Sequence, residues 1–371
     1  MSPSEQTSPG PHAAASAGDL SGLLLDLLGH VCVTGEEGPI ADRLAERYAG
    51  QDVRRVGHSL VVGAPDPARP TVLLVGHTDV VPPTPADREP RVEDERVVGR
   101  GASDMKGGLA VAMALFEDAA LRAASPYALR LIAYAGEEGP HDGNELAAVL
   151  RAEPGLADAA LAVVLEPTDL EIQLGCLGAL NARVTVRGHA AHAARPWQGH
   201  SAIDEALPLL ADLGAITPVA VDVDGLLYRE VTTVTQACTR NARNVVPDTL
   251  ELNVNVRFAP GRTADDAVAE LRRLVGGRAE LDVVDAAPSA VPSRHAPAVE
   301  AFVQAVDAPV SPKQAWTDVA RFTAVGVPAL NYGPGLTGQA HQPGEFIPTA
   351  NLGAAERGLR RFLAGSAPAH L

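Results

Sequence analysis

Histidine and acidic side chains follow three apolar segments of the chain, and their types suit the binding of a divalent cation. His77 and Asp79 lie at the end of TVLLVGHTDV, Glu137 and Glu138 at the end of LRLIAYAGEEG, and Glu166 at the end of AALAVVLEPTD. Each segment resembles a buried parallel strand, and the carboxyl ends of parallel strands form the crevice in which α/β enzymes hold ligands. Because histidine and carboxylate are common metal ligands, we predict a metal site at this edge of the sheet.

Two further aspartates have predicted roles around this site. Residues two apart on a strand project to the same side, so we expect Asp79 to accept a hydrogen bond from the ring of His77 and leave the other ring nitrogen free for a metal. Asp104 lies in the glycine-rich segment GRGASDMKGG, where a flexible backbone can bring a carboxylate between two cations. Any one acid alone could be a solvated loop residue or a helix cap, but their repetition at successive strand ends favours a common site.

Three patterns indicate other chemistries but lack the required partners. GRGASD begins like a dinucleotide-binding loop but has Asp104, an anion, where the third glycine belongs. Ser103 and Lys106 match the Ser-x-x-Lys pattern of penicillin-binding enzymes, whose Ser-Asp-Asn and Lys-Thr-Gly partners are missing from the sequence. Cys176 lies in QLGCLGA with no helix-borne base beside it, so we predict a buried structural thiol.

Composition limits the class of protein. The 371 residues are 46% hydrophobic, which predicts a soluble chain with two domains, and the net charge of -16 argues against nucleic-acid binding. No apolar run approaches the roughly 18 residues of a membrane span. Residues 1–18 lack the pattern of a signal peptide and are predicted to be a disordered tail. The cysteines Cys32, Cys176 and Cys238 are scattered, which favours a cytoplasmic location over a disulfide framework.

Periodicity predicts the elements that position the acids. Helical spacing from Asp19 to Tyr48 and in GGLAVAMALFEDAALRAA, alternating with the apolar strands, predicts a parallel α/β sheet. ALNARVTVRG and TLELNVNVRFAP alternate polar and apolar residues, as do strands with one wet face, and the helix ADDAVAELRRLVGG and the strand ELDVVD follow. FTAVGVPALNYGPG returns to the buried-strand pattern before a final helix. We therefore predict a mixed, mainly parallel sheet flanked by helices (19–178 and 290–371), with an inserted α+β unit (179–289).

Six ordered segments, GHTDVVP, GRGASDMKGG, AGEEG, LEPTD, GHAAHAARP and AHQPGEF, resemble the zinc-dependent deacylase and carboxypeptidase family. Its members include acetylornithine deacetylase, aminoacylase and succinyl-diaminopimelate desuccinylase. The resemblance covers nearly the whole chain after the tail, and AWTDVARFTAVGVPALNYGPG looks most like the desuccinylases of actinobacteria. It implies a zinc-peptidase-like fold whose inserted unit is a lid and dimerisation domain.

The implied reaction is hydrolysis of a linear amide, N-succinyl-diaminopimelate, to succinate and diaminopimelate in lysine biosynthesis. Alternatives are an acetylornithine deacetylase-like activity, another N-acyl-amino-acid deacylase or a dipeptidase. The non-enzymatic alternative is a metal- or peptide-binding protein that has lost catalysis, and the presence of an unligated acid, Glu137, argues against it.

The resemblance also implies roles for individual residues. Asp104 would bridge two zinc ions per subunit, for which cobalt or manganese could substitute. His77 and Glu166 would bind one ion, and Glu138 and His341 the other. Glu137 would be the general base, with Asp79 assisting the catalytic centre through His77.

Residues of the inserted unit complete the implied site. His192 in GHAAHAARP would be an oxyanion donor supplied by the partner subunit of a homodimer. Arg257 and Asn244, supported by their motif positions, and Arg195 and Arg240, which could equally form surface salt bridges, would bind the carboxylates of a small anionic N-acyl amino acid. The segment GPHDGNEL and the glycine at position 344 depart from the family pattern near the expected site.

Overall fold

A computed structural model describes residues 20–368 of the protein, and the predicted disordered tail, residues 1–18, lies outside them. The strands are β1 (Val53–Val56), β2 (Ser59–Val62), β3 (Thr71–His77), β4 (Arg91–Glu93), β5 (Arg96–Val98), β6 (Ala128–Tyr134), β7 (Leu161–Val164), β8 (Ile172–Leu174), β9 (Gly178–Arg187), β10 (Ala191–His192), β11 (Val219–Val223), β12 (Leu226–Cys238), β13 (Val245–Val246), β14 (Thr249–Phe258), β15 (Glu280–Ala287), β16 (Val310–Pro312), β17 (Ala329–Asn331) and β18 (Phe346–Pro348). The helices are α1 (Leu20–Gly29), α2 (Gly38–Arg47), α3 (Gly107–Glu117), α4 (Ala119–Ala124), α5 (Leu146–Ala152), α6 (Ala202–Gly214), α7 (Ala264–Val275), α8 (Pro297–Val306), α9 (Val319–Ala324) and α10 (Thr349–Ala364).

The largest sheet has eight strands in the order β1-β2-β6-β3-β7-β17-β8-β16. Its centre, β6-β3-β7-β17, is parallel, whereas the β1-β2, β2-β6 and β17-β8 pairs are antiparallel. Alternate residues of β3 enter two different cores: Leu74 packs in the cluster that contains α1, α3 and α10, and Leu73 packs in the cluster that contains α5 and α9. Helices cover both faces, which is why these strands are continuous apolar runs.

A second, antiparallel sheet of five strands, β11-β12-β14-β9-β15, forms the lid. In β14, buried and half-buried residues alternate without exception. Leu252 and Val254 face a core that they share with Leu209 of α6 and Leu271 of α7. The predicted strands β9, β14 and β15 and the predicted helix α7 are confirmed. The patterns did not predict β11, β12 or α6.

The prediction for FTAVGVPALNYGPG is wrong at its beginning. Phe322 and the two residues after it belong to helix α9, and the strand β17 begins only at Ala329. Phe322 is fully buried, and a short buried apolar run has the same composition in a helix as in a strand. The chain changes direction between these elements at Gly326, whose positive φ of 87° suits glycine.

Smaller elements complete the fold. A three-stranded sheet has the order β18-β5-β4, and β10 pairs with β13. Among the described helices, none combines the length and apolar character needed to cross a lipid bilayer.

Candidate metal centre

Four of the five predicted metal ligands converge at the carboxyl ends of β3 and β6. The ligand atoms of His77, Asp104 and Glu138 lie within 4.8 Å of one another. His77 Nε2 is 3.4 Å from Asp104 Oδ1, and His341 Nε2 is 3.6 Å from Asp104 Oδ2 and 2.8 Å from Glu138 Oε2. The fifth, Glu166, follows β7 and lines the same cavity. Asp104 thus lies between two histidines, with one oxygen directed to each.

A buried glutamate, Glu345, holds the loop that carries Asp104. Its carboxylate accepts hydrogen bonds from the backbone N–H groups of Gly101 (2.9 Å), Ser103 (2.8 Å) and Asp104 (2.9 Å). The Arg100 guanidinium donates to it at 3.0 Å. Burial raises the pKa of Glu345 to about 7 although the backbone donors lower it. The loop that presents Asp104 is therefore anchored by one side chain, that of Glu345, which directly precedes β18. The sequence did not predict this role for Glu345.

Asp79 contacts the centre in a different way from the one predicted. His77 Nδ1 lies 2.9 Å from the main-chain oxygen of Asp79 but 3.6 Å from its carboxylate, so the backbone is the nearer acceptor. The carboxylate instead accepts from the N–H groups of Glu137 and Glu138, both at 3.1 Å, and from Thr34 Oγ1 at 2.9 Å. The predicted hydrogen bond from the ring to the Asp79 side chain is therefore wrong, because the ring contacts the Asp79 backbone oxygen instead. Asp79 positions both glutamates.

The donor atoms fit a cation. Within residues 20–368, the buried atoms His77 Nε2 and Glu166 Oε1 have no hydrogen-bond partner. Burial and the Asp104 charge raise the pKa of Glu166 to about 7, and burial and the Glu166 charge raise the pKa of Glu137 well above its usual value. Buried carboxylates that lie this close together need a nearby positive charge, and buried polar atoms without a partner are energetically costly. The residues present therefore suit divalent cations with nitrogen and oxygen ligands.

The cavity beside these residues has a volume of about 380 Å³ and separates the large sheet from the lid. On the large-sheet side it is lined by the carboxylates of Asp104, Glu138 and Glu166, and by Glu137 and Lys313. Asn181, Arg257 and Asp285 line it from the lid strands β9, β14 and β15. A molecule bound here would contact acids, two cationic side chains and the candidate metal ligands at once.

Residues 73–365 match the peptidase family M20/M25/M40. The chain belongs to this family. A succinyl-diaminopimelate desuccinylase of Corynebacterium glutamicum is 35% identical over 361 residues, which cover 91% of this chain and 97% of that protein. A Mycobacterium tuberculosis protein whose provisional name gives the same activity is 35% identical over 352 residues, covering 94% of this chain and 98% of that protein. The chain is thus a metallohydrolase that acts on an amide bond.

Solved structures of the M20 family share the fold. The metallo-carboxypeptidase Sso-CP2 of Sulfolobus solfataricus has a TM-score of 0.77 at 16% identity, covering 93% of this chain and 98% of that one. A tripeptidase from Staphylococcus aureus has a TM-score of 0.76 at 20% identity, covering 94% and 98%. The predicted fold class, a mixed and mainly parallel sheet flanked by helices with a smaller lid, is confirmed.

Of the lid residues that the family resemblance predicts for the site, one lines the cavity and four do not. Arg257 lines the cavity, whereas His192, Asn244, Arg195 and Arg240 are exposed and do not line it. His192 and Asn244 are neighbours, since the N–H of the residue after His192 donates to the Asn244 carbonyl at 2.8 Å. Arg240, itself exposed, pairs with the half-buried Glu251 of β14 at 3.3 Å. Their roles in substrate binding and catalysis stay predictions.

Ser103 and Lys106 of the Ser-x-x-Lys pattern, and Cys176, are buried side chains that contact the surrounding fold. Ser103 Oγ donates to the Phe346 carbonyl at 2.8 Å, and Lys106 Nζ donates to the His30 carbonyl at 2.8 Å. The thiol of Cys176 is fully buried, and burial raises its pKa to about 11. The prediction of a buried structural thiol is confirmed.

Proposed function

We propose that the protein is a succinyl-diaminopimelate desuccinylase, which hydrolyses N-succinyl-diaminopimelate to succinate and diaminopimelate in lysine biosynthesis. The observation that carries the proposal is the cluster of His77, Asp104, Glu138 and His341 with Glu166 in the same cavity and Glu137 beside them. Two relatives named for this activity, each 35% identical over more than nine-tenths of the chain, support the choice of substrate.

We further propose two zinc ions per subunit, with cobalt or manganese as possible substitutes. Asp104 would bridge the two, with His77 and Glu166 on one and Glu138 and His341 on the other. Bound as a pair, these ions would supply the positive charge that polarises the scissile carbonyl and makes the attacking water more acidic. Elemental analysis of the loaded chain should find two equivalents of zinc, and an Asp104→Ala chain that retained both would contradict the bridge.

Glu137 would act as the general base. It accepts the proton of the attacking water and returns it to the departing amine nitrogen as the amide bond breaks. Asp79 supports this role because its Oδ1 accepts from the Glu137 N–H at 3.1 Å, which fixes the start of the Glu137–Glu138 turn. Arg257, on the opposite wall of the cavity, would bind a substrate carboxylate.

We propose that residues 179–289 form a lid and dimerisation domain and that the protein is a homodimer. Helix α6 buries one apolar face but leaves Ile203 42% and Leu207 56% exposed. One edge of the lid sheet is β11, where Val219 is 54% exposed. A second copy could cover these side chains and bring its His192 to this chain's cavity, because His192 is exposed and does not line the cavity of its own chain.

A cytoplasmic location is part of the proposal. All three cysteines are free thiols, and two of them, Cys32 and Cys176, are buried. Free thiols are typical of reducing compartments.

Turnover of the zinc-loaded full chain on matched substrates tests the proposed activity. The panel consists of N-succinyl-diaminopimelate, N-acetyl-diaminopimelate, N-acetylornithine and a dipeptide, with release of the free amine as the readout. We expect the highest kcat/KM for the succinylated substrate and loss of turnover after chelation, with recovery on adding zinc. A higher kcat/KM for N-acetylornithine or for the dipeptide would overturn the substrate assignment.

A further inference from the structure

Lys313 is a buried lysine in the wall of the metal-site cavity. It directly follows β16, and its N–H donates to the Leu174 carbonyl of the neighbouring strand β8 at 3.2 Å. Its side chain is buried, with 5% of the residue exposed, and Nζ donates to the Pro167 carbonyl at 2.8 Å. Since Pro167 follows Glu166, the ammonium is held directly beside a proposed metal ligand.

The ammonium of Lys313 has unused hydrogen-bonding capacity. An ammonium carries three donors, and within residues 20–368 the Pro167 carbonyl is the single hydrogen-bond partner of Nζ, with no carboxylate in an ion pair with it. The other buried lysine, Lys106, is different, because its Nζ contacts two main-chain carbonyls and the sulfur of Cys32. Lys106 is satisfied by the fold, whereas Lys313 retains donors at the wall of a cavity.

The charges around Lys313 point to an anionic partner. The carboxylates of Glu166 and Asp104 act on it electrostatically, but both are proposed metal ligands, whose charge a cation would share. A buried ammonium is costly unless it is paired. Among the lysines and arginines of the described chain, Lys313 and Arg257 line this cavity, one from the large sheet and the other from the lid.

Resting on the proposed function, we infer that Lys313 binds the terminal carboxylate of the substrate's acyl group and sets the preference for succinyl over uncharged acyl groups. The succinyl carboxylate is only two methylene groups from the scissile carbonyl, so its binding group must lie next to the metal ligands, as Lys313 does. The diaminopimelate part is longer and carries its own ammonium and carboxylate, which suit the open side of the cavity near Arg257.

Lys313→Met tests this inference in the zinc-loaded full chain. The change keeps the length of the side chain and removes its charge. The substrates are the N-succinyl, N-succinamoyl and N-acetyl derivatives of diaminopimelate, since the succinamoyl group has the shape of succinyl without its charge. We expect kcat/KM for the succinyl substrate to fall roughly 10- to 100-fold, because a charge-assisted hydrogen bond is lost, while values for the other two change less than about threefold.

Three further measurements separate substrate recognition from a structural role. Zinc content and melting temperature should match those of the wild type, and calorimetry should show weaker binding of succinate to Lys313→Met. Lys106→Met is the matched control for loss of a buried lysine, and it should leave the ratio of succinyl to succinamoyl turnover unchanged. If Lys313→Met does not fold, Lys313→Gln, which retains a donor for Pro167, takes its place and should show the same loss of ratio.

Equal loss on all three substrates, or loss of zinc, would assign Lys313 a structural role and overturn the inference. Unchanged preference for succinyl would do the same. If the wild-type protein hydrolysed none of the three substrates, the proposed function would fail. The comparison of succinate binding between the wild type and the variant would then still decide whether Lys313 binds this carboxylate.

Discussion

Polar side chains of the lid sheet form hydrogen bonds with one another, whereas some buried polar atoms of the metal-site crevice form none. On the polar face of the lid sheet, Asn181 accepts hydrogen bonds from Asn253 (3.3 Å) and Asn255 (2.9 Å), and the apolar residues lie on the other face. In the crevice, buried His77 Nε2 and Glu166 Oε1 have no hydrogen-bond partner in the described chain. The lid follows the pattern that stabilises a fold, and the crevice departs from it where ligands are expected to bind.

The largest expected effect tests whether the proposed general base, Glu137, acts in catalysis without helping to bind the metal ions. Glu137→Gln should keep two zinc ions but lower kcat roughly 10²- to 10⁴-fold, because the amide cannot accept the proton of water. The measurements are steady-state kinetics and elemental analysis. Glu145→Gln is the control, since Glu145 accepts from Ser59 Oγ at 2.7 Å and does not line the cavity. Near-normal turnover of Glu137→Gln with its metals bound would remove Glu137 as the base.

The next effect asks whether the lid of one subunit contributes to the crevice of another. His192→Ala should lower kcat about 10²- to 10³-fold, the loss typical of one oxyanion donor. His200→Ala is the matched control, since His200 is also exposed on this segment and pairs with Glu205 at 3.0 Å.

Mixing the two inactive chains shows which subunit supplies the histidine. Exchange between His192→Ala and Glu137→Gln subunits should create heterodimers in which one site has an intact base and an intact histidine, while the other carries both defects. Activity per heterodimer should approach half that of the wild type. No recovery despite demonstrated subunit exchange would place His192 in its own subunit's site or outside catalysis.

A smaller effect concerns the anchor of the crevice loop. Glu345→Gln places an amide N–H₂ among the donors of Gly101, Ser103 and Asp104, so at least one hydrogen bond is lost. Metal affinity, measured by competition with a chelator, should fall roughly 10- to 100-fold, as for other residues that orient metal ligands. Glu117→Gln, which weakens the contact with Arg47 at 2.7 Å, should leave metal affinity unchanged. Unchanged metal affinity in Glu345→Gln would show that the loop holds Asp104 without this anchor.

The smallest effect lies in the lid, away from the chemistry. Thr263 caps helix α7 by accepting from the Asp266 N–H at 3.1 Å. Thr263→Ala should lower the free energy of unfolding by about 1 kcal/mol in urea titrations and leave kcat within experimental error. Thr263→Ser keeps the hydroxyl and should restore most of the stability. A tenfold fall in kcat for the alanine variant would mean that α7 is coupled to the crevice.

Local patterns predicted the elements whose burial is regular. The apolar runs of β3, β6 and β7 required cover on both faces, and the alternation in β9 and β14 required one apolar and one polar face. The start of FTAVGVPALNYGPG was assigned wrongly because its first three residues end the six-residue helix α9, and a short run with one buried side chain, Phe322, fits a helix as well as a strand.

The residue types at the strand ends, and the family motifs around them, were sufficient by themselves to predict a mainly parallel α/β fold and a histidine and carboxylate metal centre. Only the tertiary structure decided that the backbone of Asp79 lies nearest the His77 ring, that Glu345 anchors the loop of Asp104, and that Lys313 faces the cavity. The physical reason is separation along the chain. Glu345 and Asp104 are 241 residues apart, and Lys313 and Pro167 are 146 apart. Helix and strand periodicity reports which face of an element is buried, but it carries no information about which distant side chain meets that face.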